Sequence, residues 1–152
     1  FIWQTGKIYI NEAKQAVKAY GELPMLHVTD FISDMAAAYS AADVVISRAG
    51  AGSISEFCLL GKPVILVPSP NVAEDHQTKN ALALVNKNAA VYIKDSEATQ
   101  KLLDTAIEAV HNPDLLKELS SNITKLAIKD SANIIAKEVC KLALKYKESH
   151  EH

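Results

Sequence analysis

Residues 43–80 read DVVISRAGAGSISEFCLLGKPVILVPSPNVAEDHQTKN. Two short apolar runs, 44–46 and 64–67, are each followed by a loop of small or polar residues and then by a helical pattern. Both runs are rich in β-branched residues and do not alternate with polar ones, as suits strands buried on both faces of a parallel sheet. Loops that leave the carboxyl ends of such strands are where open α/β sheets bind ligands. The first loop, 47–53, carries Gly50, Ala51 and Gly52 with no bulky side chain among them, and Ser53 is placed to cap the next helix. A helix start preceded by small residues offers backbone N–H groups to an anion such as a phosphate. Glu56 follows Ser53 at capping-box spacing, so its carboxylate either closes the box or accepts hydrogen bonds from a ribose diol. Spacing leaves both open, and the Gly-x-Gly lacks the full dinucleotide fingerprint. In the second loop Pro68 and Pro70 stiffen the chain ahead of a polar cluster, Glu74, Asp75, His76 and Gln77.

The same alternation extends in both directions. Upstream, residues 1–4 predict a strand and 8–20 a helix with Ile10, Ala13, Val17 and Tyr20 on one face, stopped by Gly21. A second strand is expected at 25–28, and a helix at 33–41 opens on Ser33 or Asp34 and turns Met35, Ala38 and Tyr39 inward. Between them Phe31 and Ile32 are either a hydrophobic staple at the helix entry or the wall of a flat pocket for a planar ring. The helix from 53 to 60 ends at Gly61 with Pro63 beyond it. Downstream come a helix at 77–86, a strand at 90–93, and helices at 98–111, 115–128 and 132–146; Ile134, Ile135, Val139, Leu142 and Leu144 supply an apolar face to the last. Repeated βα units with a closing strand and a helical tail predict an α/β fold, a doubly wound parallel sheet with flanking helices.

The chain has 152 residues, 49% of them hydrophobic, enough for one domain with a core. A formal charge of −2 gives no electrostatic footprint for nucleic acid. Cys58 and Cys140 lie far apart in apolar helical patterns and read as reduced core thiols of a cytosolic protein. No apolar run approaches the length that spans a bilayer. A buried strand at residue 1 is what a piece of a larger protein would present, and 148–152 is set aside as a tail. His76 beside Glu74 and Asp75 could act as a general base, contact a ligand, or be surface polarity. No nucleophile elbow accompanies it, and consecutive loop residues rarely converge on one metal ion. Arg48, the only arginine, is either a fork to backbone carbonyls or the group that shapes its loop around a diphosphate.

Several segments taken together, Ile2-Trp3-Gln4-Thr5-Gly6-Lys7, Asp30 through Tyr39, Ser47 through Glu56, Gly61 through Pro68 and Asp75 through Ala81, resemble the MurG family. These are the N-acetylglucosaminyltransferases of bacterial peptidoglycan synthesis. The resemblance covers nearly the whole chain but only the C-terminal half of such an enzyme. It implies a Rossmann-like domain, residues 1–147, that is the donor-binding half of a GT-B glycosyltransferase. It also implies that UDP-N-acetylglucosamine is a substrate and that neither a cofactor nor a metal is needed. By position, Phe31 and Ile32 would contact uracil, Ser53 with Gly50, Ala51 and Gly52 would lie near the diphosphate, and Arg48 would support the leaving group. Glu56 would take the ribose hydroxyls, and His76 and Gln77 would face the donor sugar. A histidine at 76 departs from members with glutamine there. The acceptor, a lipid-linked muramoyl-pentapeptide whose hydroxyl attacks the anomeric carbon with inversion, would be bound by an N-terminal domain that also carries the base. The glycine-rich turn that precedes the first strand in the family is absent. The chain alone is therefore expected to bind donor weakly and to transfer nothing, and the whole enzyme is expected at the cytoplasmic face of the inner membrane. Two alternatives stand beside this: a UDP-N-acetylglucosamine 2-epimerase-like domain, and a non-catalytic nucleotide-binding or interaction domain.

Overall fold

The structure, a computed structural model, describes residues 1–70 and 75–150, apart from the side chains of 147–150. It divides into two compact units, Phe1–Ala42 and Asp43–His152.

In the first unit β1 (Ile2–Gln4) pairs in parallel with β2 (His27–Thr29), with α1 (Ile10–Lys18) between them and α2 (Met35–Ala41) after them. α1 buries Ala13 and half-buries Ile10 and Val17, as the 3.6-residue spacing requires, while Tyr20 lies outside the helix and is exposed. β2 begins later than the expected 25–28. Leu26 N–H donates to Leu23 O at 2.9 Å, so Met25 belongs to a turn with Pro24 at its second position, where a fixed φ favours the turn. β1 is also not the buried strand its composition suggests: Phe1, Ile2 and Trp3 are all exposed among the described residues, because β1 has β2 on one side only. α2 is capped by Asp34, whose carboxylate accepts from Ala37 N–H at 2.9 Å. The residue before that cap is Ser33, so Phe31 and Ile32 stand too early to form a staple.

In the second unit β3 (Val45–Ser47), β4 (Val64–Leu66) and β5 (Val91–Tyr92) form a parallel sheet in that order. The register sets Ser47 beside Leu66 and Leu66 beside Tyr92, so the three strands end level and their exit loops leave one edge together. The central strand is the core: Val64, Ile65 and Leu66 are fully buried. Each such side chain contributes about 1.5–3 kcal/mol relative to exposure. α3 (Ala51–Leu60) and α4 (His76–Val85) connect the strands, followed by α5 (Asp95–Val110), α6 (Pro113–Thr124) and α7 (Ser131–His150). Ile65, Val67 and Ile93 from the sheet pack with Ala106 and Ala109 of α5, whose small side chains allow close approach. α3 ends as the glycine stop predicts, at Gly61 with φ 63°. Ser120 Oγ on α6 donates to the Gly61 carbonyl at 2.7 Å, tying that end to the next layer.

α3 starts at Ala51 with Gly50 as its N-cap, so Ser53 is inside the helix and the Ser53–Glu56 capping box does not exist. Gly50 leaves the strand in an extended conformation and its carbonyl already accepts from Ile54 N–H at 3.0 Å, which sets the first turn earlier than the serine. Cys140 is not a core thiol: it is exposed on α7, along with Ile134, Ile135, Val139, Leu142 and Leu144. The apolar face that the sequence gives α7 is exposed, and among the described residues nothing covers it.

Candidate functional site at the carboxyl edge of the sheet

The level ends of β3, β4 and β5 bring three exit loops together in the second unit, and side chains from two of the following helices lock them. Ala49 is fully buried between Ser47 and the cap of α3. Its N–H donates to Gln77 Oε1 at 3.2 Å, and its carbonyl accepts from Asn80 Nδ2 at 3.1 Å. Gln77 Oε1 also accepts from Ser69 N–H, 2.9 Å away across the sheet edge. One amide oxygen therefore ties the β3–α3 loop to the β4–α4 loop, and only the Nε2 group of Gln77 remains to donate to anything outside. Gln77 and Asn80 lie three apart, one above the other on α4, which is why both reach the same peptide.

Arg48 takes the fork form. Its Nη1 donates to Val67 O at 3.1 Å and to Pro68 O at 3.3 Å, and it also pairs with the Asp95 carboxylate at the start of α5. The guanidinium thus connects all three exit loops, and its hydrogen bonds go to protein groups.

In front of this lock stands the first turn of α3. Its N–H groups have no partner within the helix, and they carry the positive end of the helix dipole. Among the described residues, a methyl group added at Gly50 or Gly52 would meet nothing within 4 Å, so none of them crowds the bare backbone there. Ala51 and Gly52 are exposed and Ser53 is half-buried. Glu56 lies on the next turn with an exposed side chain. His76 is the first, exposed residue of α4, and the residue before it, Asp75, has φ 55°. That left-handed conformation costs an aspartate about 1–2 kcal/mol and abruptly redirects the chain into α4. Glu74 lies outside the described residues.

The remaining expected site residues, Phe31 and Ile32, are in the first unit. Ile32 N–H donates to Gln4 Oε1 at 2.8 Å, and Thr29 Oγ1 donates to Phe31 O at 2.9 Å, so the segment after β2 is held from two sides. Phe31 is exposed and Ile32 half-buried. Residues not singled out from the sequence are Asn80 and Asp95. Helical spacing from Gln77 could have found Asn80, whereas Asp95 lies 47 residues from Arg48 and no local pattern links them.

Among the described residues no group of three or more His, Cys, Asp or Glu side chains could hold a metal ion, and no helix is long and apolar enough to cross a membrane. Burial pushes the Cys58 thiol above its ordinary range. The hydrogen bond from Lys101 holds the Glu97 carboxyl below its own.

A sequence profile of the glycosyltransferase family 28 C-terminal domain matches residues 1–137. The chain belongs to this family. Among curated relatives of this glycosyltransferase domain, a Phocaeicola vulgatus protein is 77% identical over 150 residues, covering 99% of this chain and 40% of that protein. A Bacteroides fragilis protein is 73% identical over 143 residues, covering 94% and 38%. Both are described as UDP-N-acetylglucosamine–N-acetylmuramyl-(pentapeptide) pyrophosphoryl-undecaprenol N-acetylglucosamine transferases. Among solved structures, Acinetobacter baumannii MurG superposes with a TM-score of 0.80 at 33% identity, covering 92% of this chain and 42% of that one. The fold is accordingly that of the C-terminal domain of a GT-B glycosyltransferase. The chain spans about two fifths of the length of the curated relatives it matches.

Proposed function

We propose that residues 1–147 are the donor-binding half of an inverting glycosyltransferase. The enzyme would move N-acetylglucosamine from UDP-N-acetylglucosamine to a lipid-linked muramoyl-pentapeptide. The observation that carries this reading is the match of almost the entire chain to relatives described by that transfer. The sheet edge supports it chemically. The diphosphate would lie at the start of α3, against Gly50, Ala51, Gly52 and Ser53, where N–H groups and the helix dipole favour negative charge. As the sugar–phosphate bond breaks, the same groups would stabilise charge growing on the departing UDP. Glu56, one turn into α3, would accept hydrogen bonds from the ribose hydroxyls. Gln77 would meet the sugar through Nε2 as a donor, since its oxygen holds the loops. His76 would stand by the sugar at the head of α4. Arg48 would shape the site through Nη1, which is engaged by two carbonyls and Asp95. The base and the acceptor site would come from the part of the relatives that this chain does not cover.

Calorimetric titration of the chain with UDP, UDP-N-acetylglucosamine and NAD tests this, with Glu56→Ala as the comparison. UDP and its sugar are expected to bind and NAD to be refused. Each charge-assisted hydrogen bond lost from the ribose costs about 1.5–3 kcal/mol, so Glu56→Ala should weaken both uridine ligands by about tenfold or more. Equal binding of NAD, or an unchanged affinity in Glu56→Ala, would overturn the assignment.

A further inference from the structure

We propose that Asp95 is a positioning residue that acts through Arg48 to hold the tips of the β3–α3 and β4–α4 loops in the form the donor diphosphate and sugar require. This rests on the donor-site reading above and assigns part of it to a third loop, after β5, that supplies no ligand contact of its own. Three observations lead there. The register places the ends of β3, β4 and β5 level, so the first residue of α5 stands at the same edge as Arg48 and Pro68. Among the described residues, Arg48 reaches the neighbouring loop only through the Val67 and Pro68 carbonyls, at 3.1 and 3.3 Å, and the Asp95 carboxylate is the one charged group that fixes it. Arg48 also adjoins Ala49, whose N–H is held by the same Gln77 oxygen that holds Ser69 N–H. Anchoring the guanidinium therefore anchors the peptide that leads into Gly50 and α3.

The competing role for Asp95 is local: a carboxylate in the first turn of α5 favours that helix through its dipole. Glu97 provides the control. It is the other acidic residue of that turn and pairs with Lys101 instead of Arg48. Removing either charge should affect α5 alike, but only Asp95 should reach the loops.

Amide hydrogen exchange of the ligand-free chain at Ala49 and Ser69 reads the positioning directly, and titration with UDP reads its consequence. For a pair as exposed as this one, Asp95→Asn should speed exchange at both amides and weaken UDP about twofold to fivefold. Glu97→Gln should change neither, and in an Arg48→Ala background Asp95→Asn should add nothing further. Unchanged exchange at Ala49 and Ser69 in Asp95→Asn, or the same loss in the Arg48→Ala background, overturns the proposal whatever UDP does. Faster exchange with unchanged UDP affinity overturns its link to the donor. Faster exchange in a chain whose wild type does not bind UDP upholds the positioning and removes the donor-site reading instead.

Discussion

Gln77 carries two duties that substitution can separate. Its oxygen accepts from Ala49 and Ser69 while its Nε2 group is left to donate. Gln77→Ala strands the N–H groups of buried Ala49 and half-buried Ser69 and should lower the unfolding free energy by about 1–3 kcal/mol in a urea titration. Gln77→Glu keeps an oxygen for both N–H groups, so most of that stability should survive. It has no donor for a sugar, however, and the preference for UDP-N-acetylglucosamine over UDP should disappear. If Gln77→Glu kept that preference, Nε2 would not be the sugar contact. At this scale the sequence was informative about residue type and poor about partners. Glycine, serine, glutamate and glutamine in the exit loops could be picked out because their chemistry is local. Arg48 could be weighed as a fork, but its carboxylate partner at Asp95 could not be foreseen, since sheet register alone brings those residues together. Ser53 misled for the opposite reason. Its spacing to Glu56 satisfies a local rule, yet the extended exit of β3 at Gly50 starts the helix first.

Among the elements, α3 depends most on one residue that cannot be replaced. Gly61 closes it at φ 63°, and a methyl group there would lie 2.6 Å from Thr124 Oγ1 on α6. Gly61→Ala combines a left-handed alanine, costing about 1–2 kcal/mol, with that clash, and should lower the unfolding free energy by at least this amount, seen as a lower urea midpoint. An unchanged midpoint would mean that α3 and α6 yield freely at their junction. The sequence identified this stop because glycine followed by proline is a strong local signal. It was less reliable where burial had to be inferred from pattern. Cys58 and Cys140 both sit on apolar helical stripes, yet Cys58 is buried in α3 with its thiol pKa pushed up and Cys140 is exposed. A maleimide at neutral pH should therefore label Cys140 rapidly and Cys58 only as the protein unfolds. Equal labelling rates would contradict the packing of α3. Periodicity reveals that a helix has an apolar face, and a single chain does not reveal what, if anything, covers it.

For the molecule as a whole, alternating strands and helices were sufficient to predict a parallel α/β architecture flanked by helices. The boundaries moved by a few residues where a turn or cap intervened, as at Pro24 before β2 and Gly50 before α3. The division into Phe1–Ala42 and Asp43–His152 had no counterpart in the sequence, because no linker composition marks it. Under the proposed division of labour, residues 1–147 by themselves should bind donor without transferring sugar. Release of UDP by the chain in the presence of a lipid-linked acceptor would contradict that division of labour. The most direct test of the donor-site account is a titration of the isotope-labelled chain with UDP-N-acetylglucosamine, followed by NMR at every backbone and side-chain amide. The account predicts that the largest shifts fall on residues 50–53, on Glu56 and on the side-chain amide of Gln77. No shift at the start of α3 would contradict it.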